Sequence, residues 1–283
     1  MTSRRGSPTL RRRQLGMELR KLRESAGLTI EQVAERMRCS ASKISRIETG
    51  QSGVSPRDVR AIVTAYGVVD ADGVEALLQV AREARQKGWW QLFGAVLTGA
   101  YVGLEAAADA IRAYEALVIP GLLQTEDYAR AMICAGRPDI DSEEVDQRVR
   151  VRMNRQSLLS QDDPLDLWVV LDEAVLHRPV GGRAVTRQQF DHLVKAAEQP
   201  NVTLQVLPFA AGAHAGMDGP FSILLYEHDP AQNVVFASNA AGGLFLEKDD
   251  ELQRYTFIFD HLRANALGPE ESAGKIAGLA KEW

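Results

Sequence analysis

"GLTIEQVAERMRCSASKISRIETG", residues 27–50, holds two short amphipathic runs with a three-residue gap between them. Thr29 followed three residues on by Gln32 forms a capping box, so a helix is read from Ile30 to Met37. Ser40 caps the next helix and Gly50 is placed to end it. Only Arg38, Cys39 and Ser40 separate the two, the connection length of a helix-turn-helix. Ala34 is small where the helices approach, and Val33, Met37, Ile44 and Ile47 supply a shared core. Ser42, Lys43, Ser45 and Arg46 remain outside. A helix that is polar and basic on that side suits the major groove, where lysine and arginine read guanine edges and serine reads several bases.

Working outward, Leu15, Leu19 and Leu22 fall at helical spacing ahead of Gly27, which predicts a helix over about 14–26. Arg20 and Glu48 are placed to pair and tie this helix to the one after Ser40. Downstream, Ser55 caps a fourth helix with Pro56 in its first turn and Val59, Ile62 and Val63 on its apolar face. Asp72 or Gly73 opens a fifth carrying Leu77, Leu78 and Val80. Residues 1–13 lack apolar periodicity and read as a disordered basic arm. Residues 1–60 carry 14 Lys and Arg against 6 Asp and Glu, a net of +8; the whole chain is −5, which leaves −13 for residues 61–283. A basic segment on an acidic body points to a polyanion partner for that segment alone.

Beyond Gly88 the texture changes. Helices are expected at about 104–117, 122–135, 143–160, 186–198, 249–265 and 270–281. Strands are expected at 165–171, 201–207, 221–226, 233–238 and 243–247, where Val, Ile, Phe and Tyr lie between turn-rich flanks. The expected class is an all-α helix-turn-helix N-terminal domain over 14–87, followed by an α+β C-terminal domain with a small sheet over 88–283. Gly88–Leu104 runs seventeen residues without a charge, at the bottom of the membrane-spanning range, but it includes four glycines and reads as a buried segment opening the second domain. Two cysteines in no pairing pattern and an N-terminus without a secretion signal predict a cytoplasmic protein with no disulfide framework; Cys134, among apolar neighbours, reads as a small core residue.

"LRKLRESAGLTIEQVAERMRCSASKISRIETGQSGVSPRDVRAIVTAYGV", residues 19–68, resembles the Cro and lambda-repressor-like helix-turn-helix, also called the xenobiotic-response-element type. The resemblance implies base-edge contacts from Ala41, Ser42, Lys43 and Arg46 and phosphate contacts near Thr29, Ser45 and Gln51. Arg11, Arg12 and Arg13, with Arg4 and Arg5, belong to the arm and are read as following the DNA backbone, as entering a minor groove, or as a disordered solubility tail. Two positions depart from the family pattern: Ile30 stands where glutamine is common, and Arg38 occupies the turn position usually taken by glycine. A left-handed Arg38 costs about 1–2 kcal/mol.

The remainder is similar to a domain found on actinobacterial helix-turn-helix regulators, the WhiJ-like developmental regulators and antitoxin-like members of the same group. The resemblance rests on "WW" (89–90), "IPGLLQTEDYARAM" (119–132), "RMNRQSLL" (152–159), "LDEAVLHRPVGG" (171–182), "NVTLQVLPFAAGAH" (201–214) and "LRANALGPEES" (262–272), in order. It implies a small partner protein acting beside the regulator.

No glycine-rich phosphate loop, HExxH, GxSxG or paired CxxC is present, and His177, His192, His214, His228 and His261 have no metal-ligand spacing. Asp172 and Glu173 at a strand end suit acid–base chemistry, but carboxylates there more often cap the following helix. No catalytic residue, metal or cofactor is assigned. The sequence therefore predicts a DNA-binding transcriptional regulator, a homodimer on paired half-sites of double-stranded DNA, whose C-terminal domain binds a small partner protein or a small-molecule effector. Two other readings stay open: an antitoxin-like protein that sequesters a small neighbour and uses DNA binding for autoregulation, and an enzyme in the C-terminal domain. The residues 207–221, "LPFAAGAHAGMDGPF", read either as a cleft-lining loop or as a plain strand connection.

Overall fold

The computed structural model describes residues 8–67, 70–84, 99–227, 230–239 and 242–283. They divide into two compact units, the first ending at Ala107 and the second running from Ala108 to Trp283. The first is all helical: α1 (Pro8–Ser25), α2 (Ile30–Arg36), α3 (Ala41–Glu48), α4 (Pro56–Ala65), α5 (Ala71–Glu83) and α6 (Gly99–Glu105). α1 starts six residues before the expected Gln14, because Pro8 sits where a helix tolerates proline and presets φ; Arg11–Arg13 are therefore helical and not part of a disordered arm. The expected caps form. Thr29 and Gln32 close a reciprocal capping box, Ser40 accepts from Lys43 N and Ser55 from Asp58 N. The fifth helix is capped by Asp70, two residues ahead of the expected Asp72.

Of the uncharged run 88–104, residues 88–98 lie outside the described residues, as does the "WW" pair. Residues 99–104 fall in α6, which packs on α1 of the first unit, although the expected boundary at 88 assigns it to the second. No described helix is long and apolar enough to cross a membrane.

The second unit is α+β. Its strands are β1 (Ala110–Glu115), β2 (Asp166–Asp172), β3 (Val202–Leu207), β4 (Phe221–Leu225), β5 (Val234–Asn239) and β6 (Gly242–Leu246), in the sheet order β3-β2-β1-β4-β5-β6. β1, β2 and β3 are parallel, and the remaining neighbours are antiparallel. The five expected strands are present. The helix expected over 104–117 is corrected: it ends at Glu105, and 110–115 is β1, held between β2 and β4. Its alanines and glutamate favour a helix locally, but hydrogen bonding on both sides and burial of alternate residues override that preference.

The connection from β1 to β2 carries α7 (Glu126–Gly136) and α8 (Ser142–Arg155); that from β2 to β3 carries α9 (Arg183–Ala196). Both crossovers move the same way across the sheet, so the right-handed rule puts them on one face, and α7 packs on α9. α10 (Asp249–Asn265) lies across β1, β3, β4 and β5, where Phe259 and Leu262 meet Tyr114, Val170, Ile223 and Val235; α11 (Pro269–Glu282) packs on α9 and β3. With helices over both faces, Val169, Val170 and Leu171 are all fully buried, the continuous apolar run of a central parallel strand. Residues 208–220 cross the carboxyl ends of β2 and β1 to start β4, where Phe221 pairs with Tyr114.

Candidate nucleic-acid interface

α2 and α3 are joined by Arg38, which takes φ 51°, the left-handed turn expected of that position. Its N–H donates to Glu35 O at 3.1 Å, and Cys39 N donates to Ala34 O at 2.9 Å, so the chain reverses with its backbone groups paired. Ile44 and Ile47 enter a core with Leu15, Leu19, Val33, Val59 and Ile62. α1 approaches the end of α3 so closely that a Cβ at Gly16 would stand 2.5 Å from Glu48 O and 2.6 Å from Ile47 O. Only a residue without a side chain permits that packing.

The ion pair beneath this surface differs from the expected one by one turn. Arg20 pairs with Glu24 on the exterior. Arg23 reaches Glu48 instead, its Nε and Nη2 donating to Oε1 and Oε2 at 2.7 and 2.9 Å, while Nη1 donates to Leu28 O at 2.8 Å. The side chains are 9% and 4% exposed. The Tyr66 hydroxyl also donates to Glu48 Oε1, at 3.4 Å. Hydrogen bonding to Glu48 raises the Arg23 pKa against its desolvation, and burial, helped by the Glu48 charge, lifts that of Tyr66 well above its ordinary range. One carboxylate thus links α1, α3 and the end of α4.

The opposite side of α3 faces water. Ser42, Lys43 and Arg46 are exposed, with Ala41 and Ser45 half-buried at the edge. Neither the Lys43 nor the Arg46 side chain makes a hydrogen bond or ion pair among the described residues, in contrast to the enclosed Arg23. Thr49 continues this face three residues beyond Arg46, its hydroxyl donating to Ser45 O at 2.9 Å. Carrying the helical period one step further would have found it in the sequence. Thr29 and Gln51 are exposed beside the ends of α2 and α3. Arg11 and Arg12 are half-buried, and desolvation lowers the Arg12 pKa. Arg13 is 5% exposed and lies against Gly50, where a Cβ would meet its Cα and Cγ at 2.9 Å.

In the second unit the singled-out polar groups are turned inward upon one another. Asp172 Oδ1 caps the turn after β2 by accepting from Ala174 N at 2.9 Å, and Oδ2 accepts from the Tyr114 hydroxyl at 3.3 Å with His214 Nε2 at 3.6 Å. His214 Nδ1 accepts from Gly216 N at 3.2 Å, so both ring nitrogens are engaged. Glu173 accepts from Phe209 N and from Lys275 Nζ, each at 2.7 Å; these bonds outweigh its burial and hold its pKa below the ordinary value. The loop 208–220 is thereby fastened across the strand ends. Cys134, expected in the core, is exposed on α7. Its apolar neighbours in sequence lie on other faces of the helix. His228 lies outside the described residues, and among those described no cluster of three His, Cys, Asp or Glu has the placement of a metal site. Burial pushes the Glu115 carboxyl, at the end of β1, up to about 8.

A short turn over residues 37–40, a packed inner face and an exposed basic outer face define the first unit as a helix-turn-helix, the class to which DNA-binding regulators belong, and residues 14–77 match the family described as a helix-turn-helix domain. Residues 98–278, more than half of the chain, match the family described as a domain of unknown function, DUF5753, and the chain belongs to that family. No curated protein and no solved structure matches it.

Proposed function

We propose that this protein is a sequence-specific transcriptional regulator of the Cro and lambda-repressor-like kind, in which α3 enters the major groove. The unpaired, exposed Lys43 and Arg46 on the outer face of α3, opposite the buried Ile44 and Ile47, are the observation that carries the reading. Ala41, Ser42, Lys43 and Arg46 then meet base edges, and Thr29, Ser45, Gln51, Arg11 and Arg12 hold the phosphates. Two copies on paired half-sites double the contact area and fix the operator's symmetry. The second unit receives the signal, a small partner protein or an effector that binds the DNA-competent state with different affinity from the other state. Genome-wide occupancy of the wild type beside the Lys43→Ala, Arg46→Ala double variant tests this. Sharp peaks in the wild type that vanish in the variant are expected, and an absence of peaks in both sinks it.

A second reading, an antitoxin-like protein of the WhiJ-related group that sequesters a small neighbour, has its own support. Phe209 and Met217, on the loop that caps the strand ends, are 61% and 71% exposed, with Leu117 exposed beyond the end of β1. Bare apolar side chains at one end of a sheet suit a protein partner. Co-purification of a small protein that survives the double substitution in α3 and fails with Phe209→Ser and Met217→Ser would favour it.

A further inference from the structure

Arg112 is out of keeping with its surroundings. It sits in the middle of β1, the strand between β2 and β4, paired with Trp168 on one side and Ile223 on the other. Tyr114 on the same strand face, with Val170 and Ile223 beside it, is core under α10. Arg112 is half-buried and makes no hydrogen bond or ion pair among the described residues. Withdrawing an unpaired guanidinium part-way from water costs stability, and the usual compensation is a partner. The place for one is present. A cleft of about 400 Å³ opens beside Arg112, at the amino ends of β1 and β2.

Its lining narrows the chemistry. Trp168 and Leu225 give it an apolar wall, and Asp166 and Glu227 stand exposed at its rim. The Trp168 indole is held in place: its Nε1 donates to Gln205 Oε1 at 2.8 Å, and the Arg263 guanidinium lies 4.8 Å from the ring centroid. A simple anion would meet Arg112 but be repelled by the two carboxylates; a simple amine would suffer the reverse. A molecule carrying a carboxylate and an ammonium a few ångströms apart, with an apolar group beyond them, satisfies all three charges and the wall together. We propose that this cleft binds a free α-amino acid with an apolar or aromatic side chain. Its carboxylate lies on Arg112, its ammonium faces Asp166 and Glu227, and its side chain rests against Trp168 and Leu225. As the effector of the regulator described above, the amino acid depends on that reading; as an occupant of the cleft it does not.

Calorimetric titration of the full chain with phenylalanine, phenethylamine and phenylacetate separates the terms. Phenylalanine is expected to bind, and each single-charge analogue to bind at least about tenfold more weakly. Arg112→Met, which removes the charge and keeps the length, is expected to cut phenylalanine affinity by about tenfold or more while leaving the thermal melt intact. Asp166→Asn on the exposed rim supplies a second variant should the first fail to fold, with a loss of several-fold expected. No heat with phenylalanine, equal binding of either analogue, or unchanged affinity in the folded variants overturns the proposal. Operator affinity measured with and without phenylalanine judges the effector role separately: an unmoved operator affinity with phenylalanine bound would refute the effector role and leave the site standing.

Discussion

The outer face of α3 and the strand-end cluster of the second unit are both polar, and they are organised in opposite ways. Around Asp172 and Glu173 the carboxylates have hydrogen-bond donors within reach: Ala174 N, the Tyr114 hydroxyl, Phe209 N and Lys275 Nζ. On α3, Lys43 and Arg46 make no such bond among the described residues. Buried polar groups that satisfy one another hold a fold together, whereas charges left in water are free for a ligand at little cost. Partnership, more than residue type, separates these two kinds of polarity, and Arg112, without a partner among the described residues, groups with Lys43 and Arg46.

The contrast is broken most severely by turning a partnered charge into an unpartnered one inside the first unit. Glu48→Ala leaves the Arg23 guanidinium buried without its bidentate acceptor and deprives the Tyr66 hydroxyl of its own. A loss of about 3–5 kcal/mol in unfolding free energy is expected from denaturant titration. A loss under about 1 kcal/mol would mean that water reaches the pair and that its enclosure contributes little.

Removing the unpartnered charges should have the converse profile. Arg46→Ala is expected to weaken operator binding by about 1–3 kcal/mol and to relax discrimination at one base pair, with stability changed by no more than about 0.5 kcal/mol. Arg12→Ala should weaken all sequences alike and lower the salt slope by about one unit. Competition binding to operator variants across a salt series measures both. A drop in stability on Arg46→Ala would show that its side chain belongs to the fold after all.

These distinctions were unevenly legible in the sequence. The α2–α3 pair could be read in detail because its signals are local: Thr29 with Gln32, Ser40, the short turn and the isoleucines at helical spacing. Arg38's left-handed turn could be inferred for the same reason. The buried ion pair was misplaced by one turn, Arg20 for Arg23, since both lie near the same side of α1 and only the depth of packing around Gly16 chooses between them. β1 was missed because its alanines and glutamate favour a helix, and what makes it a strand is supplied by β2 and β4, 56 and about 110 residues further on. Missing that strand hid Arg112 and Glu115 with it, and neither residue draws notice until the sheet is assembled.

Glu115 tests partnership through pH. Its folded-state pKa of about 8 exceeds the unfolded value of 4.5, so the folded chain binds the proton more tightly. The resulting stability is fully present below the unfolded value and is lost as pH rises through about 8. Because Glu115 as a residue is half-buried, the expected decline between about pH 6 and pH 8 is about 1–2 kcal/mol. Thermal melts across that range should show it, and Glu115→Gln should flatten it. An unchanged slope in the variant would assign the decline to another group.

The smallest expected effect concerns the turn itself. Arg38 holds φ 51° with its side chain exposed and unpaired among the described residues, so by partnership alone it resembles Lys43 and Arg46. Its backbone strain, however, gives it a cost those residues do not bear. Arg38→Gly relieves about 1–2 kcal/mol of left-handed strain and returns roughly 0.5–1 kcal/mol in the greater entropy that glycine loses on folding. A net stabilisation of about 0.5–1 kcal/mol is expected, with the Arg38 N–H still donating to Glu35 O. The salt slope of operator binding is expected to stay unchanged, because the turn points α2 and α3 without itself gripping the phosphates. If the variant is more stable but the slope falls by about one, Arg38 joins the phosphate contacts, and its strain is the cost of presenting a cation where a glycine would fold better.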